Sequence, residues 1–296
     1  MKPATYGCLL VLVGWLLAAA AVAVLLQYRY GMGLRDSCGV AIGAGLVVGI
    51  VGSLLFASLR SLRERAAVTA ALAGRPPREG AGAVVVGTLQ AQGPLLPAPF
   101  GGADCAAYTY RIERHYGVSE GGRRLLLLFE GSGLTPCVVA SACGYFRVPS
   151  VAEFDAEGLP PAPATQEAVQ RYLRVTTFLR GDDAAREPQR RREDAEGAYR
   201  CDIAYAEVDT VPWSSCQYRQ HLLPDRAPVC VIGYFSAERR GFVPSPLGHA
   251  AIRVYGGSGE ALIVRLRREA LLYLGIAAAT AAVAVAFTAA FVAGQA

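Results

Sequence analysis

Lysine is almost missing from this chain. Lys2 is the only one, so nearly all of the 29 basic residues are arginine. A bias of that kind reflects genome composition rather than a binding specialisation. The formal net charge of +5 is largely carried by arginines that flank apolar stretches, whose simplest role is contact with lipid headgroups. No nucleic-acid partner is expected.

Histidine is scarce too, with only His115, His221 and His249. The sequence has no CxxC pair, no GxSxG nucleophile elbow, no GxxxxGK[ST] phosphate loop and no GxGxxG leading into a helix. The RGD at Arg180–Asp182 is a chance match on a cytoplasmic loop. Structural zinc sites use closely paired ligands, whereas Cys137 and Cys143 are separated by five residues with no histidine beside them. A thiol nucleophile needs a nearby base. Cys105 and His115, ten residues apart on one strand, would lie about 33 Å apart at full extension. Disulfides are not expected in a reducing compartment, which leaves Cys105, Cys201 and Cys230 as small buried hydrophobes. No catalytic, cofactor-binding or metal-ligating residue is assigned, no cofactor is expected, and the chain reads as a binding protein rather than an enzyme.

Charge is also missing from three long stretches, Pro3 to Tyr28, Ser37 to Leu59 and Ala270 to the end. Each exceeds the roughly 20 apolar residues that cross about 30 Å of hydrocarbon as a helix. The fold class expected is an α+β membrane protein with three transmembrane helices and one β-rich cytoplasmic domain holding one amphipathic helix. The spans fall at about 7–27, 38–59 and 269–293, so residues 1–59 form a transmembrane hairpin. A cleaved signal peptide is the alternative for the first stretch, since Lys2 precedes an apolar run that reaches small residues at Ala19–Ala23. With no ionisable acid or base at membrane depth, the spans read as anchors and not as a transport path. Gly39, Gly43, Gly45 and Gly49 make two GxxxG spacings, which serve packing between the chain's own spans or self-association.

Positive charge sets the orientation. Arg29 and Arg35 lie in the short loop between the first two stretches, against Arg60, Arg63, Arg65, Arg75 and Arg78 after the second and Arg265, Arg267 and Arg268 before the third. The middle segment is therefore expected in the cytoplasm, at a bacterial inner (plasma) membrane, with the C-terminus outside.

Residues 60–79 read as a juxtamembrane helix and linker, stopped by Gly74, Pro76 and Pro77. From residue 80 the period shortens: AVVVGTLQA, CAAYTYRIERHY, RLLLLFEG and TPCVVASACGYFRV are β-rich runs between Gly and Pro. Thr165 can cap a helix whose Val169, Tyr172, Leu173, Thr176 and Leu179 form an apolar stripe. A mobile loop is expected at 181–198, where apolar residues larger than Ala are absent. Strands resume at CDIAYAEV, SSCQYRQHLL, PVCVIGYF and AAIRVYGG, making 80–268 a single β-rich domain. Within it Tyr108, Tyr110 and Ile112 should face the core and Arg111 and Glu113 the outside. Strict alternation puts Cys105 outside as well, so its burial requires a bulge or a cover.

The order GAVVVGTLQA, PLLPAPFGGADCAAYTYRIER, TPCVVASACGYFRV and PVCVIGYF before a terminal span resembles the GIDE, or beside-a-membrane, domain, over about residues 80–295. That domain is known from a mitochondrial ubiquitin ligase activator and from bacterial membrane proteins. The resemblance implies a β-rich module held at the membrane that binds, senses or scaffolds a protein or lipid-associated partner at the bilayer. In the eukaryotic members a RING finger supplies E3 ubiquitin ligase activity, and its cysteines are missing from this sequence, so that activity is the alternative reading. A membrane-bound hydrolase with an unrecognised Cys or Ser site is the other.

Overall fold

The structure is a computed structural model that describes residues 24, 28, 34–119, 122–180, 197–245 and 251–293. The chain divides into two compact units, one made of Met1–Ala66 with Ile263–Ala296 and the other of Ala67–Leu262.

The first unit is built on two long helices, α1 (Leu34–Leu72) and α3 (Gly259–Ala293), which each continue into the second unit. Large apolar side chains point outward along both: Leu46, Val48, Phe56 and Leu59 on α1, and Leu271, Leu272, Val283 and Val285 on α3. That exposure suits a hydrocarbon solvent and not water. Two stretches, Gly45–Leu72 and Gly259–Ala286, are long and apolar enough to cross a membrane. At 28 residues each, they extend about 42 Å, more than the ~30 Å of a bilayer core. The Ser58 hydroxyl donates to the Ala270 carbonyl at 3.2 Å, with both residues buried.

The three-span expectation is thereby corrected: among the described residues two helices, not three, meet the length and composition needed, and most of the 7–27 segment lies outside them. An uncharged run identifies a segment that can span, but it does not establish that the segment forms such a helix. The juxtamembrane helix expected after 38–59 follows without a break, so α1 runs on to Leu72 and stops where Gly74 takes a left-handed φ of 74°. At the other end Ser258 Oγ accepts from the Ala261 N–H at 3.3 Å, which starts α3 well before residue 269.

The second unit carries the strands. β1 (Gly80–Ala91), β4 (Cys137–Ser141), β5 (Gly144–Val148), β9 (Pro228–Ser236) and β10 (Gly241–Val243) close on themselves. β9 pairs with β1 along one edge and with β10 along the other, and β10 lies parallel to β5 with Gly241 opposite Arg147. The result is a five-stranded Greek-key barrel filled by Val85, Leu89, Val139, Phe146, Val231 and Phe235. β11 (Arg253–Gly256) continues the sheet from the first half of β9, and β6 (Glu153–Asp155) pairs parallel to β11.

Two excursions from this barrel build a second sheet. β2 (Ala107–Ser119) and β3 (Gly122–Leu134) lie between β1 and β4 in the chain, while α2 (Gln166–Val175), β7 (Tyr199–Ala204) and β8 (Cys216–Leu223) lie between β5 and β9. They pair antiparallel in the order β7-β3-β2-β8. Tyr108, Tyr110 and Ile112 point inward, as period-two alternation requires, onto Phe129 and onto Val169 and Leu173 of α2. Thr165 caps α2 by accepting from the Ala168 N–H at 3.3 Å. The loop expected at 181–198 falls, but for its last two residues, outside the described residues.

Candidate functional site

The inward tyrosines of β2 put Thr109, Arg111 and Glu113 on the opposite face of the second sheet. On β8 the same alternation buries Gln220 and leaves Arg219 and His221 beside them, with Arg111 opposite Arg219 and Thr109 opposite His221. Gln220 is held by three bonds: its Oε1 accepts from the Phe100 N–H at 3.1 Å, and its Nε2 donates to the carbonyls of Gly101 and Pro163 at 3.2 and 2.8 Å. This fixes β8 and so the outward residues on either side of it.

Across from this face stand Glu153, Phe154, Asp155 and Glu157 on and after β6, and Arg253 of β11. A cleft of about 600 Å³ separates the two walls. A smaller space of about 370 Å³ continues over Glu130, Ser132 and Cys201. Both walls mix charge. Two arginines directly opposite one another repel. The pair is offset on one side by Glu130, whose carboxylate lies 3.7 Å from Arg111 Nε and also accepts from the Tyr205 hydroxyl at 2.7 Å. Arg219 meets only the Gln217 side-chain oxygen, at 3.3 Å, among the described residues. His221 Nδ1 is 3.0 Å from the Leu159 carbonyl, which can only accept. Nδ1 therefore carries a proton and donates to that carbonyl. Such a surface can engage a ligand that presents both cationic and anionic groups.

The cysteines singled out from sequence lie elsewhere. Cys105 is 1% exposed and donates its S–H to the Leu96 carbonyl at 3.5 Å. Burial, with a smaller contribution from the Asp104 charge, raises its pKa to about 11. Cys137 is pushed up to about 12 by burial alone. Cys201 and His221 share one row across the sheet, through Ser132 and Thr109. Three strand spacings still separate them by about 14 Å, too far for a thiol–imidazole pair. Gly39, Gly43, Gly45 and Gly49 all lie on α1.

A second polar cluster lies on the inner face of the sheet. The Asp202 carboxylate accepts from the hydroxyls of Tyr110 at 2.7 Å and Tyr172 at 3.0 Å. The guanidinium carbon of Arg200 stands 5.8 Å from the Tyr108 ring centre. A side chain at Gly131 would collide with Asp202 and the Tyr110 ring, so glycine is what lets this group pack against β3. Burial raises the Asp202 pKa, partly offset by the two phenols and Arg200.

Sequence reading places Arg111 and Glu113 on the outside but does not find the cleft. Its far wall is the three-residue β6, too short to show alternation, and β6 reaches the site only through β11. The one signal available was the run of polar residues alternating with inward positions on β2 and β8. No protein-family model, no curated protein and no solved structure matches this chain.

Proposed function

We propose that this protein is a membrane-anchored binding module of the GIDE-like type, which takes up a partner in the charged cleft of its β unit on the cytoplasmic side of a bacterial inner membrane. The observation that carries the reading is the cleft itself, with arginines and carboxylates on facing walls drawn from two sheets. Residues of this kind recognise a polypeptide or a headgroup that carries charges of both signs. Cys105 and Cys137 do not suit nucleophilic work, since both are buried and protonated at neutral pH.

Support for this orientation comes from the Ser58–Ala270 contact, which brings together the points where each apolar stretch meets its charged end. Arg60, Arg63 and Arg65 follow Ser58, and Arg265, Arg267 and Arg268 precede Ala270. Six arginines beside one apolar boundary favour the cytoplasmic face by the positive-inside rule. The glycines of α1 supply a close-packing face for self-association within the bilayer.

Photo-crosslinking in native membranes tests the reading. A photoreactive residue at Arg219 or Glu153 should give a discrete adduct, whereas one at Tyr145 or Arg226, both exposed and outside the cleft, should not. Adducts of equal yield from all four positions, or none from the two in the cleft, would refute it.

A further inference from the structure

β6 is the last strand of its sheet and is paired on one side only among the described residues. The Glu153 N–H donates to the Ile252 carbonyl at 2.7 Å, which sets the phase of the parallel ladder to β11. Along a strand, alternate residues bond to the same neighbour. Glu153 and Asp155 therefore turn their backbone groups to β11, and the N–H and C=O of Phe154 point away from it. Neither has a partner among the described residues. The Phe154 side chain packs against the barrel core, which holds this short edge in place. Phe154 also lines both the larger space and its continuation, so the open edge borders the cleft.

We infer that the occupant of the cleft is an extended polypeptide segment that adds to β6 as a strand, through the backbone of Phe154. The inference rests on the reading of this cleft as the binding site. Its extent agrees, since the two spaces together pass over residues of β8, β2, β3 and β7. Three strand spacings make about 14 Å, which an extended chain covers in about four residues. A compact headgroup fills only part of that length. It also lacks the N–H and C=O in register that an open strand edge requires, whereas a peptide backbone supplies both. Charge selects the side chains. Arg219, exposed and opposite Arg111, gains from an acidic one. Glu153, exposed and without an ion pair among the described residues, gains from a basic one.

The test starts from the adducts formed in native membranes at Arg219 and Glu153. Digestion and mass spectrometry should find both positions joined to one short segment of polypeptide that holds an acidic and a basic residue. That segment, synthesised with capped ends, is then titrated onto the full chain in phosphatidylcholine vesicles. N-methylation of its amides one at a time should weaken binding about tenfold at alternate positions and little at those between, the signature of a strand paired along one edge. Arg219→Glu should weaken the parent peptide about tenfold, and a peptide whose acidic residue is replaced by a basic one should regain the loss. Adducts that contain lipid or another small molecule in place of peptide overturn the inference and leave the cleft reading standing. Affinity lowered equally by N-methylation at successive amides, or at none, overturns the strand pairing alone. If neither position gives an adduct, both the inference and the cleft reading fail.

Discussion

Cys105 shows how a residue is decided by what lies over it. Its N–H donates to the Leu96 carbonyl and its carbonyl accepts from the Leu96 N–H, both at 2.8 Å, so the segment before β2 forms the cover that burial demands. With a pKa of about 11, its thiolate fraction at pH 7 is on the order of one part in 10⁴. Thiol labelling in native membranes should therefore be slow at Cys105 compared with the half-buried Cys216. Cys105→Ala should cost about 1 kcal/mol of stability and leave function in place. Cys105→Asp should be far more damaging, because it buries a carboxylate without a partner. Rapid labelling, or loss of function without loss of stability in the alanine variant, would contradict the core assignment. The alternation of Tyr108, Tyr110 and Ile112 is legible in the sequence because it is local. The contact with Leu96 is not, since nothing in the period of the strand specifies what a preceding turn will cover.

At the level of elements, α2 is attached to the second sheet by Val169 and Leu173, which it buries, and by Tyr172, which donates to Asp202 on β7. The Asp202 carboxyl has a folded pKa raised above the ordinary 3.8, so the folded state binds its proton more tightly than the unfolded chain does. Its contribution is then most favourable below pH ~4 and declines as pH rises through the raised value, above which it is constant. Asp202→Asn keeps an oxygen for both phenols without the buried charge. That variant should be at least as stable as the parent at pH 7, and its stability should change less over the window just above pH 4. Asp202→Ala leaves two phenolic hydroxyls without their acceptor and should cost ~2 kcal/mol or more. Thermal unfolding of the detergent-solubilised chain from pH 4 to 8 measures both. An asparagine variant as damaged as the alanine variant would mean that the charge itself is required. The capping Thr165 and the Val169–Leu173 stripe are visible in the sequence, whereas Asp202 reaches Tyr172 across 30 residues and has no local signature.

For the molecule as a whole, the consequential contact is that between Ser58 and Ala270, 212 residues apart in the chain. It sets the two apolar stretches beside one another within the first unit. Reporter fusions placed near residue 190 should be active only in the cytoplasm, and a fusion after Ala296 only outside. An externally active reporter near 190 would overturn the orientation and, with it, the premise of a reducing compartment for the cysteines. The same long-range logic governs the barrel, whose closure pairs Val86 with Cys230 and Val84 with Ile232.

By itself the sequence determined the features that depend on neighbours in the chain. Uncharged runs of sufficient length give α1 and α3, period-two alternation gives β2 and its buried face, and Gly74 followed by Pro76 and Pro77 ends the first long helix. Only the tertiary structure decided which strands close the barrel and that Arg219 and Glu153 line one cleft. The physical reason is the range of the forces involved. Helix and strand periodicity are set by hydrogen bonds and burial within a few residues, but closure is set by which distant edges can satisfy each other's backbone groups. β6 and β10, three residues each, owe their existence wholly to that second kind of pairing.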